Sequence, residues 1–214
     1  MHTRLLIAGL LLIARPLAAV ELTGRVVDRE GRGIGDAVVF VAELPGRSPP
    51  AQAGARTAIM DQIHKQFVPH VLPVVVGTRV HFPNRDQIHH HVYSFSRTKS
   101  FEIPLHKGEQ TDPVLFDKEG VVKVGCNIHD WMSGVILVLP NHHYATTGTD
   151  GAFKLPDLPP GAYPVTVWHE RAEADPDAMR REVRVEQSIA PITIELTVAG
   201  ERSRPAVHGL RGYE

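Results

Sequence analysis

Hydrophobic positions in this 214-residue chain mostly follow the two-residue period of β-strands. Short runs rich in valine, isoleucine, phenylalanine and threonine alternate with turns that contain glycine, proline, asparagine and aspartate. Between residues 57 and 139 no helical periodicity of useful length interrupts them. The sequence therefore predicts an all-β protein.

Two parts of the chain have a similar pattern of predicted strands and turns. Near the start, Leu22–Asp28 and Ala37–Val41 are predicted to form a strand pair across a glycine-containing turn. After residue 140, the turns predicted at Asp150–Gly151 and Pro160–Gly161 again separate β-rich runs. Two strands alone are marginally stable. The early and late parts are therefore predicted to combine into one discontinuous sandwich.

The intervening residues 57–139 predict a compact antiparallel β unit inserted between those two parts. Insertion at a loop is tolerated when the ends of the inserted unit lie close together. The Pro-, Gly- and Ala-rich stretch Leu44–Ala55 predicts a linker before it. Within it, the polar stretch Phe101–Asp112 predicts a long surface loop.

The candidate chemistry lies at the end of this inserted unit. Cys126 is the only cysteine of the chain, His129 follows three positions later, and Met132 three positions after that. A thiolate, an imidazole and a thioether suit copper, whereas magnesium and calcium prefer oxygen. A histidine cluster at residues 89–91 can supply a second imidazole. A single cysteine excludes an internal disulfide framework.

These motifs resemble the cupredoxins, in particular the amicyanin and plastocyanin group. Residues 84–92 are similar to the family pattern N-x-x-x-x-x-H-N-V, and residues 126–132 match its C-x-x-H-x-x-M spacing. The stretch from residue 60 to residue 73 looks like exported cupredoxin-domain proteins of the methylamine utilisation type. The resemblance implies a Greek-key β-sandwich over residues 57–139.

The resemblance also implies a mononuclear type 1 (blue) copper site that transfers single electrons. It assigns His90, Cys126, His129 and a weak axial Met132 as the ligands. Alternation supports His90, because it shares a strand face with Val92 while the histidines on either side of it share the other. Four protein ligands leave no position for a substrate, so an enzyme is not expected.

Two neighbours of that ligand depart from the expected pattern or have no assigned role. His91 stands where the family usually has an asparagine that helps to tie the ligand strands together, which leaves that tie open. Asn127 is a candidate to take over part of it. His89 and His91 are both expected to be surface residues.

The flanking parts resemble a carboxypeptidase regulatory-like (transthyretin-like) β-sandwich. The resemblance rests on G-x-V-x-D near the start and on T-D-x-x-G-x-F-x-L and L-P-P-G-x-Y after residue 140. It places that sandwich on residues 20–44 and 141–198. The remaining residues, 199–214, are predicted to be a flexible tail.

Residues 1–19 have a basic start, a short apolar run and a small-residue end, which predicts a secretory signal peptide and an exported or periplasmic protein. A net charge of -1 gives no electrostatic basis for nucleic-acid binding. The expected partners are an electron donor and an acceptor whose identities the sequence does not indicate.

Two alternative functions are compatible with the same sequence. A periplasmic copper storage or delivery protein shares the ligands but hands Cu(I) to an acceptor. A metal-free structural β-module retains no copper. An enzyme is disfavoured further because no nucleophile–base pair or paired carboxylates stand out.

Overall fold

The computed structural model describes residues 20–44, 56–109, 112–173, 179–186 and 190–199. The predicted signal peptide lies outside these residues, as do linker residues 45–55 and tail residues 200–214. All seventeen regular elements of the described parts are β-strands, which confirms the all-β class. No helix within those ranges has the length and apolar character needed to cross a bilayer.

The strands are numbered in chain order. They are β1 (Val20–Val27), β2 (Val38–Val41), β3 (Thr57–Ile59), β4 (Asp61–Ile63), β5 (Gln66–Val68), β6 (Val71–Val75), β7 (Thr78–His81), β8 (His90–Phe95), β9 (Ser100–His106), β10 (Val114–Phe116), β11 (Gly120–Cys126), β12 (His129–Leu139), β13 (Tyr144–Thr146), β14 (Ala152–Leu158), β15 (Gly161–Trp168), β16 (Arg181–Val185) and β17 (Ile192–Glu195).

The middle strands, β3 to β12, form a five-stranded sheet in the order β6-β12-β11-β8-β9, a three-stranded sheet β10-β7-β3 and the hairpin β4–β5. An apolar cluster that includes Phe82, Phe116 and Val122 fills the space inside them. On β11, Val122, Val124 and Cys126 occupy alternate positions and are all buried, so the thiol of Cys126 faces the core.

Two predictions for this region were wrong in detail. The unit is not wholly antiparallel, because β12 pairs with β6 and β7 pairs with β3 in parallel registers. Long connections make such pairing possible without a hairpin. The stretch predicted as a surface loop contains β9, which pairs with β8 and forms the edge of the five-stranded sheet.

The flanking strands, β1, β2 and β13 to β17, form two sheets in the orders β14-β1-β17 and β13-β2-β15-β16. Their core contains Leu22, Val39, Leu155 and Leu158. The predicted pairing of β1 with β2 was wrong, because both edges of β1 are occupied by β14 and β17. Strands from before residue 44 and after residue 140 thus pair with each other, while the division into domains stays a prediction.

Apolar side chains also join the flanking and middle strands. Val71, Val135 and Leu137 from β6 and β12 pack with Val38 and Trp168 from β2 and β15. Trp168 is therefore a packing residue at this contact. The flanking strands therefore cover part of the five-stranded sheet.

Candidate metal centre

Three strand ends bring the predicted donors together. His90 begins β8, Cys126 ends β11, and His129 begins β12 after a two-residue turn. Cys126 is paired with Val92 on β8 and with His129 on β12. Because β8, β11 and β12 are consecutive in the sheet, residues separated by up to 39 positions in sequence meet at one end of it.

The three donor atoms form a small, nearly regular triangle. The Nδ1 atoms of His90 and His129 lie 3.1 Å apart, and the Sγ of Cys126 lies 3.6 Å from each. The centre of such a triangle is about 2.0 Å from each atom, against metal bonds of about 2.0–2.1 Å to histidine nitrogen and about 2.3 Å to thiolate. Within the described ranges they are the one group of three or more His, Cys, Asp or Glu residues arranged closely enough to bind a metal.

Burial differs among these donors. His90 is fully buried and Cys126 is 3% exposed, whereas His129 is partly exposed. Partial burial, together with the nearby His90, lowers the pKa of His129 below its ordinary value. The neutral imidazole that a metal requires is thereby favoured at neutral pH.

The ring of His90 is oriented by a carboxylate. Its Nε2 lies 2.8 Å from Oδ2 of Asp86. An ionised carboxylate can only accept, so Nε2 donates to Asp86, and Nδ1 is the ring nitrogen that faces Cys126 and His129. Desolvation raises the pKa of Asp86, but hydrogen bonds from Lys65, His90 and His64 outweigh it and leave that pKa below its usual value.

The sequence did not indicate a functional role for Asp86, and Asn84 was identified only as part of the family motif. The Nδ2 of Asn84 donates to the carbonyl oxygens of Ile88 and His106, both at 2.9 Å. Its Oδ1 accepts the backbone N–H of Asp86 at 3.0 Å. The short polar run before the histidine cluster was the available signal, since such residues fold loops onto their own side chains.

The other two histidines of the cluster do not belong to the group of donors. His91 binds Glu102 through Nε2 at 2.8 Å. Its backbone carbonyl accepts the N–H of Asn127 at 3.1 Å. One link between these segments is thus a backbone–backbone hydrogen bond, and the expected role of the Asn127 side chain stays a prediction. His89 is exposed, in agreement with its expected surface position, whereas His91 is only partly exposed, with its ring against Glu102.

Met132 lies on β12 in the same buried cluster as Cys126 and Val92, and it is 2% exposed. Its burial in this cluster is compatible with an axial position. Its role as fourth ligand stays a prediction.

No protein-family model and no curated protein matches the chain. Among solved structures it is similar to a purple cupredoxin from Nitrosopumilus maritimus, with 26% identity, coverage of 39% of this chain and 98% of that one, and a TM-score of 0.34. It is also similar to an oxidised amicyanin variant at 24% identity, covering 48% of this chain and 98% of that one, with a TM-score of 0.36. For a reduced Cu(I) amicyanin variant the identity is 21%, the coverages are 47% and 97%, and the TM-score is 0.36.

Proposed function

We propose that this chain is an exported mononuclear blue-copper protein that carries single electrons, with His90, Cys126, His129 and an axial Met132 as ligands. The convergence of one Sγ and two Nδ1 atoms around a common point is the observation that carries this proposal. A trigonal set of two histidines and one cysteine with a weak methionine is the donor set of blue-copper electron-transfer sites.

The donors fit copper by their chemistry as well as by their spacing. A buried thiolate is a soft ligand, and the His90 ring directs Nδ1 toward the other two donors. Copper bound there supplies a one-electron change between Cu(II) and Cu(I). The chain contributes a site whose donors already lie close together, so little rearrangement has to accompany electron transfer.

His129 provides the route to the surface. Ile88, Leu105 and Ile128 surround it with exposed apolar side chains. Trp131, which is 59% exposed, has its ring 5.4 Å from that of His129. An apolar surface at the exposed ligand edge favours brief contact with a redox partner, because it brings the partner close without demanding a fixed set of ion pairs.

The proposed protein is also exported from the cytoplasm. The basic and then apolar residues 1–19 support secretion to the periplasm or beyond. In such a compartment a free cysteine is exposed to oxidation. Burial and metal binding both protect the single thiol of Cys126. The four proposed ligands leave no place for a substrate, so the proposed protein is a carrier and not an enzyme.

Copper loading of the purified protein tests the proposal. We expect an intense visible charge-transfer band with Cu(II), its loss in Cys126→Ser, and its retention in the control His89→Ala, which alters an exposed histidine next to the ligand. A colourless copper-loaded protein contradicts the proposal. Voltammetry then separates carrier from delivery protein: a carrier shows fast reversible one-electron exchange, whereas a delivery protein transfers Cu(I) readily and exchanges electrons poorly.

A further inference from the structure

The β4–β5 hairpin contributes no predicted ligand, yet its tip has an unusual backbone. His64 and Lys65 join the two strands, and their φ angles are +52° and +58°. Positive φ at both central positions is the feature of a type I′ turn, which prefers Asn-Gly or Asp-Gly. Histidine and lysine adopt this conformation at a cost, so other contacts must hold it.

Those contacts converge on one carboxylate. The backbone N–H of His64 donates to Oδ1 of Asp86 at 2.6 Å, and that of Lys65 donates to Oδ2 at 2.7 Å. The same Oδ2 accepts the Nε2–H of His90 at 2.8 Å. Three N–H groups therefore share two oxygens of a side chain that is only 11% exposed.

The backbone holds the same two segments in place. The N–H of Gln62 donates to the carbonyl of Pro83, and the N–H of Arg85 donates to the carbonyl of Gln62, both at 3.0 Å. β4 thus runs alongside the residues that lead into Asp86. The turn and the carboxylate are held together independently of any metal.

We propose that Asp86 is a positioning residue for His90, and that the His64–Lys65 turn is a backbone clamp that orients Asp86. The inference rests on the proposed function, because it takes His90 as a copper ligand. Held in this way, the His90 ring directs Nδ1 toward the Sγ of Cys126 and the Nδ1 of His129. The strained turn is then part of the copper site, although it touches no donor atom.

Asp86→Asn is the direct test, because it keeps the side-chain shape and replaces one acceptor oxygen with an NH2 donor. The three N–H groups then have one acceptor oxygen between them, and His90 or the turn loses its partner. We expect copper affinity to fall about 10–100-fold. We also expect changed electron paramagnetic resonance parameters of Cu(II). In metal-free protein, nitrogen NMR should show His90 protonated at Nε2 in the wild type and partly at Nδ1 in the variant.

Two control variants separate positioning from other effects. Asp130→Asn removes a negative charge from the exposed residue beside His129 and leaves Asp86 intact, so copper affinity should stay within about twofold. The double variant His64→Asn with Lys65→Gly installs a preferred type I′ sequence and retains both backbone N–H groups. It should preserve the copper spectra and affinity, because the clamp uses no side chain of the turn.

Unchanged copper affinity, spectra and His90 tautomer in Asp86→Asn overturn the positioning role. A loss of affinity in the double turn variant overturns the backbone clamp, since the side chains would then carry the effect. Failure of the wild-type protein to bind copper instead overturns the proposed function. In that case the His90 tautomer of the metal-free proteins still decides whether Asp86 positions the ring.

Discussion

The buried donor cluster among the middle strands links side chains to one another, whereas the buried side chains of Asn141 and Thr147 among the flanking strands bond to backbone. In the middle, Asp86, His90, His129 and Cys126 form a continuous series of side-chain contacts. In the flanking part, the Nδ2 of Asn141 donates to the carbonyl oxygen of Val41 at 2.7 Å. The hydroxyl of Thr147 likewise donates to the carbonyl oxygen of Ile34 at 2.7 Å.

The difference in hydrogen-bond partners indicates different roles for the two regions. A buried side chain that donates to a backbone carbonyl fixes a turn or a strand end, and the folded chain already provides its hydrogen-bond partner. The middle series instead brings the Cys126 thiol and the Nδ1 atoms of His90 and His129 to within 3.1–3.6 Å of one another. In the proposed function, these three atoms are the donors to copper. We therefore assign the chemistry to the middle strands and a structural role to the flanking strands.

The largest expected effect compares two equally buried histidines. His90→Ala removes a donor, and we expect copper affinity to fall by more than about 100-fold, since loss of an outer partner alone costs 10–100-fold. His143, which is 1% exposed and has Nδ1 3.1 Å from the carbonyl oxygen of Pro156, provides the control. His143→Ala should lower stability by about 1–3 kcal/mol and leave copper binding unchanged. Copper titration followed by thermal unfolding measures both, and equal copper loss in the two variants contradicts the comparison.

A second prediction concerns the flanking core. Leu155 is fully buried there, so Leu155→Ala should reduce the free energy of unfolding by about 2–5 kcal/mol. The visible spectrum of the folded copper protein should not change, because Leu155 belongs to a different apolar cluster from Cys126. Denaturant unfolding and absorption spectroscopy provide the two readouts. An altered spectrum at full folding would show that the flanking core shapes the site.

Local patterns were sufficient for several features of the middle strands. Alternation places Val122, Val124 and Cys126 on one face of β11, and all three are buried. The family resemblance places the ligand on His90, alternation supports that choice, and the structure groups His90 with Cys126 and His129. These predictions succeed because strand geometry fixes side-chain direction within a few residues.

Features that depend on distant pairing were not predictable in this way. β1 and β2 look like a hairpin, but the partners that separate them lie more than 100 positions later. Asp86 precedes His90 by four positions. In an extended chain this spacing does not predict a contact between the two side chains. Its role arises only when the β4–β5 turn folds back across the loop. Nothing in the local pattern of residues encodes that approach.

Met132 tests whether a side chain buried in the apolar cluster also serves the metal. Met132→Leu nearly conserves volume, so stability should change by less than about 1.5 kcal/mol. If the sulfur is the axial ligand, copper stays bound and the reduction potential rises, because a weak donor to Cu(II) is lost. Voltammetry measures this shift, with the core variant Leu155→Ala as the control expected to leave the potential unchanged. An unchanged reduction potential in Met132→Leu would show that Met132 only packs in the apolar cluster and does not bind the metal.

The smallest expected effect concerns a polar contact between the two regions. His70 lies 2.6 Å from Glu170 through Nε2 and 3.0 Å from the carbonyl oxygen of Ser133 through Nδ1. The side chains of this pair are 17% and 36% exposed, so Glu170→Gln should cost at most about 1 kcal/mol. Glu173→Gln, an exposed acidic residue nearby, is the control for charge. A stability equal to that of the control would mean that the pair contributes nothing. A shifted copper spectrum would be more informative, because Ser133 follows Met132 on β12, and the flanking strands would then influence the site through His70.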